Sequence, residues 1–262
     1  MYNLAPVSHF DTMFRFCTTQ SLVFVFACIA LSEPKIPPNF KRCYRKDPDF
    51  RKCMFAAVQL AAPQLTKPYR AIAVPNLEPV EVSSLQVKGG GGVVAVNQNF
   101  KNCKLYGLTK SEIYQADFNL ENKTWVFDFL IPELDCRCDY QLDGKVLLLP
   151  IKGEGNCTIV FDKMHVKLKI DFEEVVKDSR THFKVSHSQI ENDVGLVTMH
   201  FDNLFNGDKA LGDNINKVLN ENWKEVYAEV QADYQDLLTG VMMQLLNRFF
   251  DKVSLEELFD EN

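Results

Sequence analysis

Cysteines, histidines and Asn-X-Thr sequons are the side chains in this 262-residue sequence whose types and spacing could do chemistry. Metal ligation is the first chemistry they exclude. No CxxC pair meets a second at zinc-finger spacing, and the five histidines are scattered, so no metal is expected. Covalent catalysis is the second. The chain has no GxSxG, HExxH or GKS/T motif, and His182, His187 and His200 fall in a polar, strand-like region where they read as surface or internally satisfied groups. Gly90-Gly-Gly92-Val-Val-Ala95 superficially resembles a dinucleotide fingerprint, but VVAVNQNF after it reads as a strand rather than a helix. The glycines are therefore expected to form a turn or bulge, with no cofactor. A net charge of −6 argues against nucleic acid, which needs a basic face. The reading is not an enzyme.

The cysteines take their meaning from the compartment. Leu22 to Leu31 is an apolar run of signal-peptide length, too short to span a bilayer of about 30 Å. Ala30-Leu31-Ser32 supplies small residues for cleavage after Ser32. Residues 1–32 thus read as a signal peptide, with Met13-Phe-Arg15 marking Met13 as an alternative start. Residues 33–262 read as a single secreted domain without stable membrane insertion. Removing Cys17 and Cys28 leaves Cys43, Cys53, Cys103, Cys136, Cys138 and Cys157, an even set for an oxidising space. A Cys43–Cys53 bond would close the loop YRKDPDFRK and staple the new N-terminus to the first helix. The other four allow three pairings. Cys136 and Cys138 face the same way along a strand and should seek different partners, Cys157 being one candidate. Asn122 and Asn156 become glycosylation acceptors.

Elements must position these groups. PDFRKCMFAAVQLAAPQL predicts a short amphipathic helix ending near Pro63. From about residue 84 to 172 the pattern alternates and is punctuated by turns. Trp125, Phe127, Phe129 and Ile131 share one face, Leu134 to Leu142 repeat the pattern, and Val166, Leu168, Ile170 and Phe172 do so again. Asp143-Gly144 reads as the hairpin turn between the middle strands. This is an antiparallel meander with one oily face. From Lys209 to Lys252 apolar residues recur every turn, which predicts a helix of roughly 65 Å. Its repeat is near 3.9 residues, so the stripe drifts around the axis and suits a twisted sheet; a break at Gln231–Asp233 is the alternative. The polar FDNLFNGDKALGDN before it carries a turn at Asn206-Gly207 and candidate caps at Asp208 and Asp213. Asn220 and Asn222 either face water or tie the helix to sheet edges.

The run FDNLFNGDKALGDNINKVLNENWKEV, followed by LLNRFFDKVSLEELF, resembles the C-terminal signature of the insect takeout and juvenile hormone binding protein family. LYGL (105–108), IPELDCRCDYQLDGKVLLLPIKGEGNCTI (131–159) and the Cys43/Cys53 pair extend the resemblance over essentially the whole mature chain. It implies the tubular lipid-binding fold, an α+β architecture in which a highly curved antiparallel β-sheet wraps a long C-terminal helix and encloses an elongated tunnel. Cys136 and Cys138 depart from the family pattern, which implies an extra disulfide or a narrowed pocket.

The resemblance implies a secreted carrier that holds juvenile hormone, a fatty acid or another lipid without covalent chemistry, by removing apolar surface from water. The expected lining is Trp125, Phe127, Phe129, Val166, Leu168 and Ile170 from the sheet, with Val226, Val230, Leu237 and Val241 from the helix. Tyr140 and Tyr234 are expected to hydrogen-bond a polar head group. The first helix, with Phe55 and Val58, is expected to act as a lid. Further partners of such a carrier are a cell-surface receptor and a lipid donor or acceptor. The alternative is a secreted interaction or signalling protein with a filled or vestigial tunnel.

Overall fold

The computed structural model describes residues 36–89 and 92–260. The expected signal segment 1–32, Cys17 and Cys28, and Gly90 and Gly91 of the glycine run lie outside them. In chain order the elements are β1 (Cys43–Tyr44), α1 (Phe50–Ala61), β2 (Val80–Val87), β3 (Val94–Tyr106), β4 (Glu112–Asn119), β5 (Thr124–Val146), β6 (Leu149–Lys177), β7 (Arg180–Asp193), β8 (Leu196–Phe201), α2 (Lys209–Glu221), α3 (Trp223–Lys252), α4 (Leu255–Leu258) and β9 (Phe259–Asp260).

β5 and β6 are the spine. They pair antiparallel from Thr124↔Asp171 to Val146↔Leu149. β5 takes β4 along its first part and β3 along its second, while β6 takes β8 along its first part and β7 along its second. β2 extends β3, and the sheet stays open, with β2 and β7 ending its main path. The inward face changes phase in mid-spine. On β5, Trp125 and Ile131 are buried at odd positions and Leu134, Tyr140, Leu142 and Val146 at even ones. On β6, Ile151, Cys157, Ile159 and Phe161 give way to Met164, Val166, Leu168, Ile170 and Phe172. Lys163, at φ 52°, marks the switch. Pro132 lies opposite, after β4's last pair at Leu130 and before β3's first at Asp135, so its missing N–H removes no ladder bond on that flank. The corner divides the trough into two halves.

The β5–β6 hairpin does not turn at Asp143-Gly144. Pairing continues through Gly144↔Ile151 to Val146↔Leu149, and the two turn residues are Leu147 and Leu148, at φ 50° and 69°. A two-residue turn with both φ positive is the form that matches strand twist. Gly144 instead makes room for a neighbouring strand. A Cβ there would lie 2.1 Å from the Ala95 carbonyl oxygen, so glycine lets β3 approach. Leu147 packs on the core and its N–H donates to the Val93 carbonyl at 2.8 Å, while Leu148 is 91% exposed.

The C-terminal helix is not continuous from Lys209. It breaks at Asn222 (φ −113°, ψ 23°), earlier than the alternative break site, leaving α3 with 30 residues and a length of about 45 Å. The Asn222 side chain donates to the Val218 carbonyl at 2.8 Å, the kind of local bond by which asparagine competes with helical pairing. Asp208 caps α2 by accepting from Leu211 N–H at 3.1 Å, and Asn206 and Gly207 hold positive φ just before it.

Asn216 and Asn220 serve the sheet. Asn216 accepts from Phe201 N–H at 2.9 Å and donates to the Phe201 carbonyl at 3.0 Å. Asn220 does the same to Met199, at 2.8 and 2.7 Å. Each carboxamide imitates a neighbouring strand, so α2 caps the outer rim of β8. On β7, Gln231 donates to the Asn192 carbonyl at 2.6 Å and Asn247 accepts from Val185 N–H at 2.8 Å. The sheet's inner face packs on α3 through Val226, Tyr227, Val230 and Phe250, all buried. Replacing the buried Asn216 by Ala strands a backbone donor and acceptor, so N216A is expected to destabilise by about 2–4 kcal/mol, and N220A by somewhat less. The exposed Asn214→Ala should change stability by no more than about 0.5 kcal/mol. Urea midpoints at unchanged m-value check this ordering.

Candidate functional site

Two cavities lie between α3 and the inner face of the sheet, of ≈ 40 and ≈ 70 Å³. Both belong to the half of the trough flanked by β3 and β8. The smaller is walled by Val96, Val146 and Val197 from strands and by Val226 and Val230 from α3. The larger is walled by Leu85, Leu105 and Leu134 opposite Leu237 and Leu238. Ile159, Phe161, Tyr227 and Tyr234 border both, so the tyrosines form a rib across one interior. Among the described residues, no charged side chain lines either space.

The polar groups there are few and held in place. Tyr234 Oη donates to Gln98 Oε1 at 2.7 Å, and Gln98 is only 6% exposed. Asn192 Nδ2 donates to Tyr227 Oη at 2.8 Å, while Asn192 Oδ1 accepts from Gln235 at 2.7 Å. Burial pushes both phenols above their ordinary range.

The other half of the trough is filled with rings. Trp125 has Phe172 at 4.7 Å, Phe118 at 5.0 Å, and Phe183 and Phe250 at 5.8 Å between centroids. The last three pairs are edge-on and the first is tilted, geometries that add to burial. Of the expected lining, the structure places Val226, Val230 and Leu237 at the cavities; Tyr234, expected to meet a head group, borders both with its hydroxyl bonded to Gln98. It places Trp125, Val166, Leu168 and Ile170 in the core away from those walls, with Phe127 and Phe129 half-buried against it. Val58 packs on the same core from α1, Phe55 is half-buried on that helix, and Val241 is half-buried on α3. Tyr140 donates its hydroxyl to the Asp202 carbonyl, and its ring stacks edge-on with Phe201.

Gln98 is absent from the expected set, though the sequence carried a signal for it. In VVAVNQNF it falls in phase with Val94, Val96 and Phe100, a polar residue at an inward position. His182 is buried, with Nδ1 2.7 Å from the Phe250 carbonyl; His200 contacts Asp202 at 3.0 Å on the surface, and His187 is exposed. Asn122 lies in an exposed turn and Asn156 on an exposed position of β6. No helix among the described residues is long and apolar enough to cross a membrane.

A family model described as haemolymph juvenile hormone binding protein matches residues 21–260. The circadian clock-controlled protein daywake of Drosophila melanogaster is 27% identical over 246 residues, covering 90% of this chain and 92% of that protein. Its namesake in Drosophila yakuba is also 27% identical, over 85% and 88%. The crystal structure of Epiphyas postvittana Takeout 1 superimposes with a TM-score of 0.72 at 24% identity, covering 84% of this chain and 99% of that one, a likeness of fold.

Four cysteines meet at the cavity wall or beside it. Cys43 and Cys53 are bonded at the base of α1, and Cys103 is bonded to Cys138, which among the described residues leaves Cys136 and Cys157 as thiols. Cys157 lies directly across from Cys138, and Cys136 and Cys138 line the larger cavity. Burial pushes both thiols from 9.0 to about 12. At pH 8 the thiolate fraction is then about 10⁻⁴, and iodoacetamide should label neither thiol until the chain is unfolded. The folded chain keeps protons that the unfolded chain releases above pH 9. This contribution to stability is complete below that pH and is lost progressively toward pH 12. The urea midpoint should fall between pH 7.5 and pH 10, and fall less in a Cys136→Ala/Cys157→Ala variant.

Proposed function

The chain belongs to the haemolymph juvenile hormone binding protein family, and from that premise we propose that it is a secreted carrier holding a hydrophobic small molecule non-covalently between α3 and the sheet. The observation that carries this reading is the uncharged, apolar interior on both sides of the Tyr227–Tyr234 rib. Removing a ligand's apolar surface from water into such a space is favourable by about 25 cal/mol per Å² and needs no reactive group.

Ligand pockets usually enclose about 300–1,000 Å³, well above the ≈ 40 and ≈ 70 Å³ present here. A guest therefore has to displace side chains, and the middle of α3 is where they can move. Its carboxamide tethers to β7 lie at Gln231, Gln235 and Asn247. Between them Leu237, Leu238, Val241, Met242, Met243, Leu245 and Leu246 are only half-buried. Gly240 sits at the centre of that span, and a Cβ added there would meet nothing within 4 Å. Mid-helix glycine costs about 1 kcal/mol relative to Ala and leaves the span easier to bend. The same small volumes favour a second reading, a secreted interaction or signalling protein whose interior stays filled.

Mass spectrometry of small molecules released from protein purified from its native source decides between them. The carrier reading expects one apolar molecule per chain, together with uptake of a fluorescent fatty-acid probe. A natively folded chain that yields no lipid and takes up no probe supports the second. Val96→Trp, which fills the smaller cavity, is expected to weaken probe binding at least tenfold. Val176→Ala, on an exposed position, should leave it unchanged. Gly240→Ala should slow uptake while raising thermal stability, as stopped-flow fluorescence and thermal melts would report.

A further inference from the structure

Cys138 has two cysteines within reach. It is bonded to Cys103 on β3, which sits in the bulge that interrupts β3–β5 pairing between Lys101 and Lys104, where Asn102 holds φ 51°. On its other side β6 places Cys157 directly opposite. The strands β3, β5 and β6 are successive neighbours in the sheet, so Cys103, Cys138 and Cys157 form a row across them. Directly opposed residues of an antiparallel pair have Cα atoms about 4.5–5.5 Å apart, inside the span of a disulfide. Diagonal neighbours lie about 7–8 Å apart, outside it. Cys136 pairs with Leu105 and Ile159, which makes it diagonal to both Cys103 and Cys157 and leaves it out of the row. Burial raises the Cys157 thiol to about 12 while the Cys138 backbone N–H opposes the rise, which sets Cys157 Sγ beside Cys138. The titratable groups around it are Asp139 and Asp202, whose charges add to the rise, and Cys136, Tyr140 and Tyr234, each itself pushed up by burial.

We propose that Cys138 exchanges partners within the folded chain. The Cys157 thiolate attacks Cys138 Sγ, the Cys103–Cys138 bond breaks as the Cys138–Cys157 bond forms, and Cys103 leaves as a thiolate that takes up the proton Cys157 gave up. One disulfide stands in the row before and after, so no oxidant or reductant is consumed. The loops closed by the two pairings differ in length by less than a doubling, so closure entropy sets no strong preference between them. The consequence is mechanical. Where the ladder is interrupted, the bond to Cys103 fastens β3 to β5. Leu85, Phe100 and Leu105, from β2 and β3, wall the larger cavity on that side. Exchange moves the staple to β5 and β6, which are already paired on both sides of that point, and frees the β2–β3 wall to move.

The test is disulfide mapping of the folded wild type after acid quenching and peptic digestion, conditions under which exchange stops. Protein held at pH 7 and at pH 9 without added thiol should yield a Cys138–Cys157 peptide beside the Cys103–Cys138 one. Because the thiolate is the attacking group, the new peptide should accumulate about 100-fold faster at pH 9, at a rate independent of protein concentration. A map with Cys103–Cys138 alone at both pH values overturns the proposal, as does a rate proportional to protein concentration, which marks exchange between chains. Cys103→Ala/Cys136→Ala, refolded with glutathione disulfide as oxidant, should form the Cys138–Cys157 bond. A natively folded variant that keeps both as thiols overturns the proposal, and if the variant does not fold the wild-type map decides alone. Amide hydrogen exchange over residues 100–106 should be at least tenfold faster in that variant than in Cys136→Ala/Cys157→Ala, which keeps the Cys103–Cys138 bond. Equal protection overturns the release of β3.

Discussion

A sheet that does not close has rims of unpaired backbone donors and acceptors, and meeting them is the constraint on which this architecture depends. Open rims invite pairing with other chains unless something covers them. Here the cover is made of carboxamides. Asn216 and Asn220 hold β8 on both sides of their amide groups, and Gln231 and Asn247 reach β7 from α3. Each bond fixes the helix at side-chain distance from the rim rather than at backbone distance. The helices are thereby held over the trough, and the space beneath them follows from that standoff.

What occupies the space differs between the halves, and the phase switch at Pro132 and Lys163 is where the difference begins. Beyond it, Trp125 and the phenylalanines around it interlock and fill the trough. On the other side the walls are mainly Val, Ile, Leu and Met, with Phe100, Phe161 and Phe201 among them, and two voids remain around the tyrosine rib. Interiors normally pack to crystal-like density, so adjoining voids depart from that norm on one side only. The aromatic half gives the trough a rigid end. The aliphatic half holds the capacity to change.

Local chemistry made much of this legible in the sequence. Alternation over Trp125–Ile131 and Val166–Phe172 marks the inward face because strand side chains repeat every second residue. Of the helix positions read from helical spacing, Val226, Val230 and Leu237 border the cavities and Val241 does not. Asp143-Gly144 misled because a glycine has two uses, positive φ and close approach, and only the neighbouring strand tells them apart. The asparagine clamps were open for a related reason: a carboxamide bonding to a strand 15 or 21 residues away has the same local sequence as one facing water. Alternation also says which face is inward without saying whether rings or voids fill it, so the expected sheet lining fell largely in the packed half.

The tethers also bear on how such an interior could admit a guest. If α3 were clamped along its whole length, opening would mean breaking rim hydrogen bonds and packing contacts together, which is close to unfolding that half of the chain. Instead the polar ties to β7 fall at Tyr227–Gln235 and at Asn247–Phe250, and the turns between carry half-buried Leu, Val and Met around a glycine with open space beside it. Displacing those side chains costs apolar contacts that an apolar guest restores in kind, while the carboxamide bonds at either end stay made. Low local stability in the moving part and high stability at its anchors is the distribution a binding element needs. It also explains why methionine appears twice at the centre of the span: an unbranched, adaptable side chain repacks around different shapes at little cost.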